Sequence, residues 1–149
     1  LRPSGRDLLV IDRHLAEREL QVIQRPGISV PLIGATAGTA LLPLQSSEAR
    51  RAIVADARIT PMAARASLGM LPTVLKGIRD TGWASGEGEL MEGTSTIATA
   101  FDTVLRPLAV SIPVPTARFS PTRSLFRDCL LQCRDKILSD IGLQALQQR

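Results

Sequence analysis

Apolar residues along this chain fall into two kinds of stretch: amphipathic runs at helical spacing, and uncharged runs in which no period survives. Leu8, Ile11, Leu15 and Val22 recur at helical spacing, flanked by Leu9, Leu20 and Ile23, while Asp12, Arg13, Glu17, Arg18 and Glu19 fill the positions between. Ser4-Gly5-Arg6-Asp7 ahead of them has the form of a capping box, and Pro26-Gly27 stops the run. The pattern predicts a helix over about 5–24.

Further helices are predicted downstream. Ser46 or Ser47 caps one over 47–58, whose inner face is small: Ala49, Ala52, Ile53 and Ala57. Thr60-Pro61 opens one over 61–69 and Pro72 another over 72–80. Ile97, Phe101, Val104 and Leu105 share a face over 95–106, ended by Pro107. Ser120-Pro121 opens the longest, over 121–147, with Phe126, Cys129, Leu130, Cys133, Ile137 and Ile141 as its apolar stripe. Residues 80–93 read as a Gly-rich, acidic, exposed loop. The expected fold class is therefore all-α: five or six helices in an irregular bundle, one domain over 1–149, with two extended Pro-rich arms at 26–45 and 107–119.

The first arm carries no charge and seven sizeable aliphatics, Ile28, Val30, Leu32, Ile33, Leu41, Leu42 and Leu44. A solvated loop does not expose that much apolar surface, and a structureless connection of such length is unusual within a compact domain. The arm is expected to lie across a neighbouring subunit. It is as long as a membrane span, but Pro26, Pro31 and Pro43 with Gly27, Gly34 and Gly38 make a poor helix of it, so no membrane role is expected.

Composition removes several kinds of chemistry. Of 149 residues 44% are apolar and 21% charged, enough for a core and too apolar for a disordered tail. Three Phe, one Trp and no Tyr leave no platform for stacking single-stranded bases. One His and two Cys leave no set for structural zinc, and neither a metal nor a cofactor is expected. Cys129 and Cys133, one helical turn apart, are expected to be buried, reduced and without a ligand, in a reducing intracellular compartment. The chain begins at Leu1 rather than Met and is expected to be a processed product or an excised piece.

Nothing points to catalysis. His14 has Glu17 and Arg18 as helical neighbours and no accompanying motif. Gly34-Ala35-Thr36-Ala37-Gly38-Thr39 lacks the Lys of a phosphate loop and reads as a flexible arm of small residues. Glu87, Glu89 and Glu92 repel anions and do not have calcium-loop spacing. Ser85 is not in a nucleophile elbow, and a Ser–Lys hydrolase using Lys76 has no positive signal. No enzyme is expected.

Charge carries more. Arg outnumbers Lys sixteen to two, and the excess positive charge gathers on Arg50, Arg51, Arg58 and Arg65 and on Arg118, Arg123, Arg127 and Arg134. These are the candidate phosphate contacts, because the guanidinium fork suits phosphate oxygens. The expected function is a structural subunit of a large assembly, specifically a small helical viral capsid or nucleocapsid-associated protein held by arm exchange. Its partners are copies of itself or other subunits of a particle, with non-specific nucleic acid alongside and a virion as a second location. The alternative is a basic helical nucleic-acid-binding module.

Overall fold

The computed structural model describes residues 1–18, 22, 24–57 and 69–142. Within them the architecture is mixed α/β, not all-α: two three-stranded antiparallel sheets and four α-helices. The first sheet runs β1 (Arg2–Ser4), β2 (Asp7–Leu9) and β3 (Ser29–Pro31). Ser4-Gly5-Arg6-Asp7 is not a helix cap. Ser4 pairs with Asp7 across a two-residue hairpin loop, with Gly5 at φ 62, the conformation that suits a tight antiparallel turn.

The helix expected over 5–24 is absent from the described residues. Among the described residues of its apolar set only Leu8 enters the core, opposite Val30 of β3, while Ile11 and Leu15 lie exposed at 47% and 41%. Leu8 and Val10 are buried while their neighbours are not, an alternation that belongs to a strand.

The arm expected over 26–45 is no arm. It contains β3, the six-residue α1 (Thr36–Leu41) and a 3-10 turn (Leu42–Leu44). Leu32, Leu41 and Leu42 are fully buried, and Val30 and Ile33 pack against the same cluster; Ile28 and Leu44 stay at its rim. The uncharged composition thus reflects burial within this chain. The small residues that break the helical period let α1 lie close to its surroundings: a Cβ on Gly38 would collide with the Leu32 carbonyl.

Then follow α2 (Ser47–Ala57) and α3 (Leu71–Thr81), where helices over 47–58 and 72–80 are expected. The Ser46 hydroxyl accepts the Ala49 N–H at the start of α2. The helix expected over 61–69 lies, apart from Gly69, outside the described residues.

The second sheet is a meander of β4 (Ala84–Glu87), β5 (Thr94–Phe101) and β6 (Leu108–Pro115). It replaces the helix expected over 95–106, the second arm and part of the acidic loop. Ile97 and Phe101 are compatible with helical spacing, but they also alternate with Ala98 and Ala100, and both faces of β5 are covered. One face carries Ala84, Ala98 and Ala109 toward α1. The other carries Ile97, Val110, Ile112 and Val114 toward α4 (Thr116–Asp140).

The prolines of β6 fit the sheet. Ala109 and Leu1 exchange backbone hydrogen bonds of 3.0 and 2.9 Å on the side of β6 away from β5, joining the two sheets. The period of two puts positions 113 and 115 on that same outer side, so Pro113 and Pro115 remove no donor from the β5–β6 ladder.

Helix α4 starts five residues before the expected Pro121, and what is expected of it beyond residue 142 lies outside the described residues. Its buried stripe is Phe119, Leu130 and Leu138 with Phe126 half-buried, not the stripe through the cysteines. Cys129 and Cys133 are exposed and free, because the sheet is met by the helix face about a quarter-turn away.

Candidate ligand-binding cavity

A cavity of about 200 Å³ opens between the two sheets and α1. Its apolar wall comes from Leu1, Ile28 and Val30 of the first sheet region, Ala35 and Ala37 around the start of α1, and Leu90 and Met91 of the β4–β5 loop. Its polar groups are few: Thr94 and Thr96 of β5 and Ser111 of β6 from the inward positions of one sheet face, joined by Gln24, Thr36 and Glu89.

Glu89 is placed by the turn that follows β4. Gly88, at φ 65, donates to the Thr94 carbonyl at 2.7 Å and Thr94 donates to the Met91 carbonyl at 3.2 Å, closing the loop on itself. The Glu89 side chain folds back over Gly86, where a Cβ would meet its carboxyl group. There it accepts the Thr36 hydroxyl at 2.5 Å. Burial raises the Glu89 carboxyl above its ordinary range, and the Thr36 bonds pull it partly back. A carboxyl group of that kind sits ready to hold either a proton or a hydrogen-bond donor.

The expected site residues are scattered. Arg50 and Arg51 stand on α2 beside a second, more open hollow of about 500 Å³ floored by Leu42, Val54, Leu71 and Leu75. Arg123 lies over the Trp83 ring at 5.1 Å and donates to Ser85, while Arg127 and Arg134 pair with Asp128 and Asp135. Arg118 also has its interaction partner within the chain, and Arg58 and Arg65 lie outside the described residues. Of the aliphatics assigned to the arm, Ile28 and Val30 do reach the cavity wall, from inside the same chain. The sequence showed Glu89 only as one of three acids that repel anions and Thr36 only within a stretch of small residues, and nothing in it brought together these two residues, which lie 53 apart; the one signal was a carboxylate in a Gly-rich segment close behind Gly86 and Gly88.

Comparison with known proteins gives a consistent result. Residues 3–139 match the family described as "Bacterial transcriptional regulator IclR C-terminal". The chain is 33% identical over 141 residues to the HTH-type transcriptional regulator TtgV of Pseudomonas putida, covering 93% of this chain and 54% of that protein. It thus spans about half the length of that relative. Among solved structures it resembles Pseudomonas aeruginosa HmgR, with a TM-score of 0.78 at 21% identity, over 95% of this chain and 57% of that one. It also resembles the effector domain of the putative transcriptional regulator IclR from an Acinetobacter species, with a TM-score of 0.70 at 17% identity, over 99% of this chain and 83% of that one.

These likenesses overturn the reading as a viral capsid or nucleocapsid-associated subunit, the alternative of a basic nucleic-acid-binding module, and the partners and virion location that went with them. The family is one of transcriptional regulators and not of enzymes, in agreement with the expectation of no enzyme. Regulation of transcription in bacteria also carries the intracellular part of the expected location. Among the described residues no helix is long and apolar enough to cross a membrane.

Proposed function

The chain belongs to the IclR family of bacterial transcriptional regulators, which it matches through their C-terminal domain, and on that footing we propose that its cavity is the site of a small-molecule effector. The observation that carries the reading is the Glu89–Thr36 pair, set in a predominantly apolar hollow between two sheets and a helix. Binding sites for small molecules are commonly of this kind, an apolar wall with a few placed polar groups.

The volume, about 200 Å³, is below that of pockets for drug-sized compounds. The effector is accordingly a compact molecule with an apolar body and one donating group, a hydroxyl or a protonated amine, that meets the Glu89 carboxylate. Thr94, Thr96 and Ser111 offer hydroxyls to a second polar group. In a regulator of the relative's length, an effector that binds one conformation of this domain more tightly biases the affinity for DNA elsewhere by the same coupling free energy.

Thermal unfolding of the chain against a panel of small alcohols, phenols, amines and carboxylates tests the proposal. Alcohols or amines should raise the midpoint in a concentration-dependent way, as a ligand of the native state does. Carboxylates of the same size should not. Retention of the same shift in a Glu89→Leu, Thr36→Val double variant would remove the cavity as the site.

A further inference from the structure

The long helix α4 points two thiols outward. Cys129 and Cys133 are exposed, neither is in a disulfide, and they stand four residues apart within the continuous helix Thr116–Asp140. Residues at this spacing have Cβ atoms about 5–6 Å apart. A disulfide needs about 3.5–4.5 Å. The helix therefore holds the two Cβ atoms farther apart than a relaxed S–S bond requires, a span that suits one atom bridging the sulfurs.

The surroundings restrict what that atom is. Among the described residues no cluster of three or more His, Cys, Asp or Glu side chains is gathered to hold a metal. Zinc in a structural site takes four protein ligands, so two thiols alone do not satisfy it. Thiolates select soft ions. The neighbouring charges are engaged: Arg127 pairs with Asp128, Arg134 with Asp135 and Lys136 with Asp140.

We propose that Cys129 and Cys133 form a two-thiolate site for one soft cation that accepts two sulfurs in line, the chemistry shared by Cu(I) and Hg(II). Two S–H bonds break, two sulfur–metal bonds form, and two protons leave to solvent for each ion bound; no electron is transferred. The turn so clipped contains Leu130, whose side chain packs in the core with Ile97 and Phe119. The ion thus gives the domain an input on an exposed flank of α4, about a quarter-turn from its packing against the sheet and independent of the Glu89 cavity.

Titration of the full chain with Hg(II), and separately with chelator-buffered Cu(I), in the presence of excess monothiol tests this. After desalting to remove the monothiol, one ion per chain should be retained and both protein thiols should no longer react with Ellman's reagent, while Zn(II) is not retained after the same treatment. Each of Cys129→Ser and Cys133→Ser should weaken retention by about 10²–10⁴-fold, the gain expected of a second tethered ligand. Circular dichroism identical to wild type shows that these surface variants are folded. The arm that binds, copper or mercury, names the ion. Serine variants that hold the ion as tightly as wild type, two ions per chain, an ion shared between two chains, or equal retention of zinc would each overturn the proposal.

Discussion

The Thr36 hydroxyl, at the start of α1, donates to the carboxylate of Glu89 in the β4–β5 loop, 53 residues further along the chain. This bond fastens the loop that closes the cavity to the helix that floors it. Glu89→Gln keeps an acceptor for Thr36 and removes the charge. Because burial raises the Glu89 pKa above its ordinary value of 4.5, the folded chain binds this proton more tightly than the unfolded chain does. The corresponding stability is fully present below the unfolded pKa and is lost as pH rises through the folded one. Wild type should therefore lose stability relative to Glu89→Gln as pH rises from the ordinary carboxyl value of 4.5 through the raised pKa of the folded chain, a sign that urea midpoints of the two proteins check directly. A difference that stays flat with pH would mean that the carboxyl is solvated in the native chain.

Gly86 makes room for that carboxyl. The atoms nearest a methyl group there are all at the far end of the Glu89 side chain, which can swing away. Gly86→Ala is expected to change stability by no more than about 1 kcal/mol. It should nevertheless break the Thr36 bond and weaken binding of a donating effector by about tenfold or more, a loss of roughly 1.4 kcal/mol. Calorimetric titration alongside urea unfolding separates the two effects.

Gly38 stands in the opposite situation. A Cβ at this position runs into the backbone carbonyl of Leu32, which has no flexible end to move. Gly38→Ala should cost about 1–3 kcal/mol or more, as forced overpacking does. Gly77, within the exposed face of α3, has nothing within 4 Å of a built Cβ. Gly77→Ala should stabilise the chain by up to about 1 kcal/mol, since alanine is the better helix former. Opposite signs in denaturant midpoints are the expected outcome.

Helices α2 and α3 could be read from the sequence because each is opened by a local signal, Ser46 in one case and Pro72 in the other, and each keeps a polar face. Strand β5 could not be read, since α1 covers one of its faces and α4 the other, which erases the polar alternation that marks a half-exposed strand. Its residues Ile97 and Phe101 then satisfy a helical period as well. The uncharged stretch 26–45 announced burial, but burial looks the same in a sequence whether the cover is this chain or another. Glu89 and Thr36 become a pair only through the hairpin and the packing of α1 on the sheet, neither of which is a local property of the residues around them.

The segment 26–45 gives a direct test of internal burial. Leu41 is fully buried in the cluster that holds Leu8, Leu32 and Ala98. Leu41→Ala should cost about 2–5 kcal/mol. Ile28→Ala, at a position 40% exposed, should cost clearly less. Deleting residues 27–44 removes β3 and α1 together and should unfold the chain. A deleted protein that keeps a cooperative thermal transition would show that this segment is not part of the core.

Trp83 is the sole tryptophan, so its fluorescence reports one place: the junction of α3, β4 and α4. The Arg123 guanidinium lies 5.1 Å from the centre of its ring and also donates to the Ser85 hydroxyl at 3.1 Å, tying α4 to β4. The cation draws on the negative face of the ring, an interaction worth about 0.5–1 kcal/mol at an exposed site. Arg123→Ala should lower stability by roughly that amount and shift the Trp83 emission to the red, because the ring loses its cover. Arg123→Lys keeps the charge but not the flat group that stacks, so its emission and stability should fall between those of wild type and Arg123→Ala. If both substitutions leave emission and urea midpoint unchanged, Arg123 is not seated on the ring in solution.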